Sequence, residues 1–159
     1  MTGKALLRGL LAGVAGVAAM TAGEKLEQHL PRRPNSFVPA HTLARLLRLR
    51  QPDADAVGRN WAMHWGQGIL LGAMRGIMAE RGLRGPVGAL LFTNLRLLND
   101  QMLENATGVG APPWTWPTDE QLIDIAHKAV YAVVTGLVAD RLIPGPPGLP
   151  RPRTPWQVR

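Results

Sequence analysis

The residues able to do chemistry crowd into one stretch, "NDQMLENATGVGAPPWTWPTDEQLIDIAHK", residues 99 to 128, where acids, amides, two tryptophans and a histidine stand between apolar runs. Asp100 and Glu104 are four apart, and Asp124 and His127 three apart, so each pair shares a face if its segment is helical. Glu24 and His64, at the ends of two other apolar runs, complete a set of carboxylates and imidazoles drawn from four segments. Helical bundles use such sets to hold carboxylate-bridged metal ions, normally with a Glu-x-x-His from each of two helices. Here one Asp-x-x-His occurs and no acid adjoins His64, so the spacing favours interhelical hydrogen bonds and predicts neither metal nor cofactor. His64 and His127 are also the residue type of a proton carrier or pH sensor.

Asn94 and Arg96 interrupt the third apolar run, where an amide or a charge is costly in a bilayer unless it is partnered or faces a cavity. Gln67 and Glu80 are the candidate partners. The candidate ligand-binding set is therefore Glu24, His64, Asn94, Arg96, Asn99, Asp100, Glu104, Trp114, Trp116 and His127. Known motifs add little. Asn105-Ala-Thr107 fits a glycosylation acceptor, and "GVGAPP" (108 to 113) is a turn-forming linker without the spacing of a nucleotide loop. No Gly-x-Ser-x-Gly, His-Glu-x-x-His or phosphate-binding loop is present, so no catalytic residue is assigned and enzyme activity stays open.

The elements that must position these residues follow from composition. A chain of 159 residues suits one domain. It carries 18 basic and 11 acidic side chains, a net charge of +7 that suits anionic headgroups or nucleic acid. The aromatic residues sit with the acids and not among the arginines, so a base-stacking platform is unsupported and no nucleic-acid partner is expected. There is no cysteine, which excludes disulfides, thiolate metal sites and cysteine nucleophiles. The apolar residues concentrate in four blocks, 5 to 23, 61 to 79, 86 to 98 and 126 to 143, with helical and never alternating periodicity. Helices are expected near 4–30, 40–50, 58–81, 84–105 and 119–143 within one helical domain, 1–143.

A bilayer span needs about 20 mostly apolar residues; the first and last blocks meet this and the middle two are marginal. Gly9 and Gly13, and Gly68, Gly72 and Gly76, are spaced four apart and let helix backbones approach closely in lipid. In a water-soluble helix each such glycine costs roughly 0.5–1 kcal/mol relative to alanine. The alternatives are a soluble helical bundle, attached peripherally to membranes, with glycines at tight crossings, and a first block that serves as a cleaved leader. The seam glycines could equally receive a second copy or a partner membrane helix. In "AHTLARLLRLR" (40 to 50), Leu43, Leu46 and Leu47 share a face flanked by Arg45, Arg48 and Arg50, as in a basic helix lying on a membrane surface. Residues 144 to 159, rich in proline and arginine, read as a disordered basic tail. Four antiparallel spans would bring Glu24, His64, Asp100, Glu104, Asp124 and His127 to one end, with Trp61, Trp65, Trp114 and Trp116 at the same interface.

The segments "EKLEQHLPRRPNSFVPAHTL", "NWAMHWGQG", "RLLNDQMLENATGVGAPPWTWP" and "HKAVYAVVTGLVADRL" resemble a family of small multipass membrane proteins of bacteria and filamentous fungi without an assigned activity. That resemblance implies a hydrophobic helical membrane protein and transfers no catalytic residue. The expectation is an all-α, four-helix membrane bundle of short Gly/Ala-rich helices plus one amphipathic surface helix, partnered by the lipid bilayer as an integral membrane protein. A packing or binding role at the polar end leads. A membrane-embedded metal protein or enzyme using the same cluster, and a proton-linked permeation protein, are the rivals.

Overall fold

The computed structural model describes residues 2–29, 36–50 and 56–146. Among these, every regular element is helical: α1 Thr2–His29, α2 Val38–Leu46, α3 Val57–Glu80, α4 Gly85–Thr107 and α5 Thr118–Leu142, with a single 3₁₀ turn at Pro113–Thr115. The four long helices fall within a few residues of the expected positions. The basic tail lies outside the described residues from 147 onward.

Local chemistry sets the boundaries. Pro86 occupies the first turn of α4, where a missing N–H costs nothing. Pro117 precedes α5, whose first turn carries Asp119 and Glu120 and whose last carries Arg141, each sign matched to the helix dipole. α4 ends at Gly108, which adopts φ +66° so that the Val109 N–H can reach back to the Glu104 carbonyl at 3.0 Å. A Cβ added to Gly108 meets nothing within 4 Å, so Gly108→Ala isolates the left-handed backbone cost. A loss of about 1 kcal/mol is expected, read as a lowered thermal midpoint, because an L-residue pays that much for this conformation.

α2 departs from expectation. It stops at Leu46 and not near residue 50, because Arg48 turns left-handed (φ +52°) and the Leu49 N–H closes on the Ala44 carbonyl at 2.8 Å. Ala40, Thr42 and Ala44 form its buried face. Leu46, Leu47 and Leu49 remain outside beside Arg45, Arg48 and Arg50, so the amphipathic helix keeps leucines on its outer surface.

The core is built from small residues. Ala5, Ala12, Ala79 and Ala139 fill one end with Ile143, while Val17, Met20, Leu71, Phe92, Tyr131 and Ala132 fill the other. α1 and α3 meet backbone to backbone: a Cβ on Gly9 would stand 2.5 Å from the Gly72 carbonyl oxygen, and one on Gly72 would stand 2.5 Å from that of Gly9. Gly13 faces Gly68, and Gly76 faces Ala5. The five glycines on which a second copy or partner helix was expected to pack are thus consumed inside the chain, where close approach gains dispersion contacts that side chains would block.

Polarity is inverted relative to a water-soluble bundle. Arg75, Arg96, Asp100, Lys128 and Thr135 are buried, while Leu7, Leu11, Leu70, Val87, Leu90, Leu98, Met102, Leu122, Val133 and Leu137 point outward. At the end formed by the start of α1, the α3–α4 turn and the end of α5, Arg75 is fully buried and donates from Nη2 to Asp140 Oδ1 at 2.8 Å. Gly88 and Gly136 leave the volume that its guanidinium fills. Asp140 also accepts the Gly85 N–H at 2.9 Å and lies 3.7 Å from Arg84 Nε, tying α3, α4 and α5 together.

Candidate functional site

The opposite end of the bundle holds a cavity of about 380 Å³, walled by α1, α3, α4 and α5, by α2 through Val38, Pro39 and Thr42, and by the Gly110–Pro117 loop. That volume lies in the range of small-ligand sites. Chain topology places it there: the end of α1, the start of α3, the end of α4 and the start of α5 coincide, as four antiparallel helices require.

Asp100 is the hub. Its Oδ1 accepts from Gln67 Nε2 at 2.6 Å and from Asn99 Nδ2 at 3.5 Å. Its Oδ2 lies 3.3 Å from both Arg96 Nε and Lys128 Nζ. Lys128 also pairs with Asp124, one turn earlier on α5. Beneath this network the Arg96 guanidinium carbon stands 5.3 Å from the centre of the Tyr131 ring, and the Tyr131 hydroxyl donates to the Gly68 carbonyl at 2.6 Å. Phe92 packs on the same ring at 5.5 Å between centroids. Each buried charge therefore has an opposite charge nearby, the condition under which buried ions are tolerated.

Glu104 stands one turn beyond Asp100, in the last turns of α4, folded beneath Gly110. Burial in the cavity wall pushes its carboxyl up to about 7; Lys128 opposes the shift, and Asp100 and Asp124 add to it. No described side chain donates a hydrogen bond to it. On the far wall His64 Nε2 is 3.1 Å from the Thr21 hydroxyl, and His127 faces the same space. Trp116 lines the mouth with its Nε1–H donated to the Ala111 carbonyl at 2.9 Å.

Of the ten residues singled out from sequence, His64, Arg96, Asp100, Glu104, Trp116 and His127 line the cavity. Asn99 touches it only through Asp100. Glu24 accepts from Gln28 on its own helix at 3.3 Å and does not line the cavity. Trp114 is 80 % exposed and points away. Asn94 faces outward, its amide satisfied by the Leu90 carbonyl at 2.9 Å, so neither Gln67 nor Glu80 is its partner.

Lys128 carries the part of the site that the sequence left out, while Asp124 and Gln67 were named without their partners. Lys128 and Asp124 are i,i+4, as are Arg96 and Asp100, and that spacing was visible; what sequence could not show is that the two pairs face each other across α4 and α5. Gln67, expected to partner Asn94 or Arg96, instead donates to Asp100, the neighbour of both on α4. Among the described residues, no group of three or more His, Asp or Glu side chains is arranged to hold a metal ion. The cavity brings together hydrogen-bonding side chains, a paired set of buried charges and the Trp116 side chain in a half-open space. Comparisons with protein-family models, with curated proteins and with solved structures each find no match to this chain.

Proposed function

We propose that this chain is an integral membrane protein whose helical bundle carries a binding site for a small polar ligand at the level of the lipid headgroups. In this reading α1 and α5 cross the bilayer, and α3 and α4 run beside them as far as the buried charges. Glu104 and the cavity mouth then stand in the headgroup layer.

The inverted polarity carries the reading. α1 and α5 are long and apolar enough to cross a membrane, a property shared by core helices of soluble proteins and, near an N-terminus, by signal sequences. Core helices are mostly buried, however, whereas only 39 % and 33 % of the most apolar stretches of α1 and α5 are buried here. Many outward Leu, Val and Met side chains around an interior with close glycine and alanine contacts and internal ion pairs suit hydrocarbon and disfavour water. Two further features agree. Trp61 and Trp65 stack at 6.1 Å at the cavity end, where tryptophans gather at interfaces. The outer surface of α2, with Leu47 60 % exposed beside Arg45, Arg48 and Arg50, suits an anionic headgroup layer.

Membranes from cells expressing the tagged chain, washed first in high salt and then in alkaline carbonate, should retain it in the pellet through both steps. Release by carbonate would leave a peripherally attached bundle and end this reading.

A further inference from the structure

We infer that the cavity takes a zwitterion, with an ammonium group set against Glu104 and an oxyanion, either carboxylate or phosphate, set against Arg96. The inference rests on the proposed reading of this cavity as a ligand site.

Arg96 supplies the first half. It lines the cavity and is 3 % exposed, yet its Nε and Nη1 have no hydrogen-bond partner. Asp100 lies 3.3 Å from Nε without hydrogen-bond geometry, and its oxygens are already shared with Gln67 and Lys128. A buried guanidinium with unpartnered N–H groups favours the approach of a carboxylate or phosphate oxygen. Leaving those donors unmet is costly, and an incoming oxyanion removes that cost.

Glu104 supplies the second half. Its carboxyl lines the same cavity, no described side chain donates to it, and the nearby Lys128 is already held by Asp100 and Asp124. An ammonium brings both the missing charge and the missing donors. Trp116 lines the same cavity and adds an aromatic side chain of the type that attracts cations.

Spacing bounds the size. Arg96 and Glu104 are eight residues apart on α4, about 12 Å along its axis. The Arg96 side chain leans toward Asp100 and shortens that gap to the scale of a small two-ended ligand. A small amino acid or a phosphoethanolamine group spans that distance. An apolar ligand would leave the Arg96 donors and the Glu104 carboxyl without partners, and a simple cation or anion would serve only one of them.

The test is calorimetric titration of the full chain in detergent micelles. The probes are O-phosphoethanolamine and β-alanine, each carrying both charges, against ethanolamine, acetate and inorganic phosphate, which carry one kind. At least one zwitterion should bind tenfold or more tightly than every single-charge probe. Glu104→Gln, isosteric and at a partly exposed position, should keep the helical content and reduce the zwitterion to the level of acetate or phosphate. Competition by phosphatidylethanolamine added to the micelles would assign the site to a lipid headgroup; O-phosphoethanolamine binding without that competition would assign it to a free solute. Ethanolamine matching the zwitterions would remove the oxyanion subsite and overturn the inference, as would binding untouched by Glu104→Gln. If neither zwitterion binds while the chain stays in carbonate-washed membranes, the inference falls and the membrane reading stands.

Discussion

Asp100→Ala is expected to destabilise the bundle by about 3–5 kcal/mol, the range for removing one partner from a buried charge set. The loss comes from what remains: Arg96 and Lys128, both nearly inaccessible, would be left with one counter-ion, Asp124, lying on the far side of Lys128. Gln67 would lose its acceptor as well. Asp100→Asn should cost less, because the amide oxygen can still accept from Gln67 or Lys128. Adding Lys128→Met to Asp100→Ala should recover part of the loss, since the second substitution removes one stranded charge. Thermal unfolding of the four proteins in one detergent, followed by helical circular dichroism, gives the comparison. A single substitution Asp100→Ala that shifts stability by less than about 1 kcal/mol would mean that water or lipid headgroups already solvate these ions.

Gly72→Val should be at least as damaging, with a cost of about 3 kcal/mol or more. A Cβ at position 72 would stand 2.5 Å from the Gly9 carbonyl oxygen and 2.6 Å from the Gly13 Cα, and both neighbours are backbone atoms that cannot rotate aside. α1 and α3 would have to separate along their crossing. Gly66 on the same helix is the control, because a Cβ there meets nothing within 4 Å. Gly66→Ala should raise stability by roughly 0.5–1 kcal/mol, the ordinary helix-propensity gain. Opposite signs at two glycines six residues apart on one helix test the packing and not the amino-acid type. Equal effects would show that α1 and α3 do not touch as described.

What could be read from the sequence, and what could not, divides along a physical line. The helices were legible because apolar periodicity and proline or glycine stops act locally, and α3 begins and ends within a residue of its expected bounds. The shared polar end was legible because four antiparallel helices permit only one arrangement of their termini. The partners were not, because they depend on helix rotation, which a run apolar on every side does not encode. Asn94 and Arg96 differ by two positions, about 200° around the helix, so one faces outward and the other inward. For the same reason the glycine seam was visible as a seam, while its occupant, the other helix of this chain, was not.

The placement of the buried ions has a consequence for how the chain can be assembled. Arg96, Asp100, Asp124 and Lys128 lie on two helices consecutive in sequence and sum to zero charge. A hairpin of α4 and α5 therefore carries its own neutralisation into the bundle. Arg75 has no such provision: it sits on α3, and its counter-ion Asp140 is in the last turn of α5, which is made after both α3 and α4. Until α5 packs, α3 holds a charge without its counter-ion, which is costly in any apolar interior. Closure of the bundle is thus tied to the arrival of α5, and a chain truncated before Asp140 would leave α3 unable to settle.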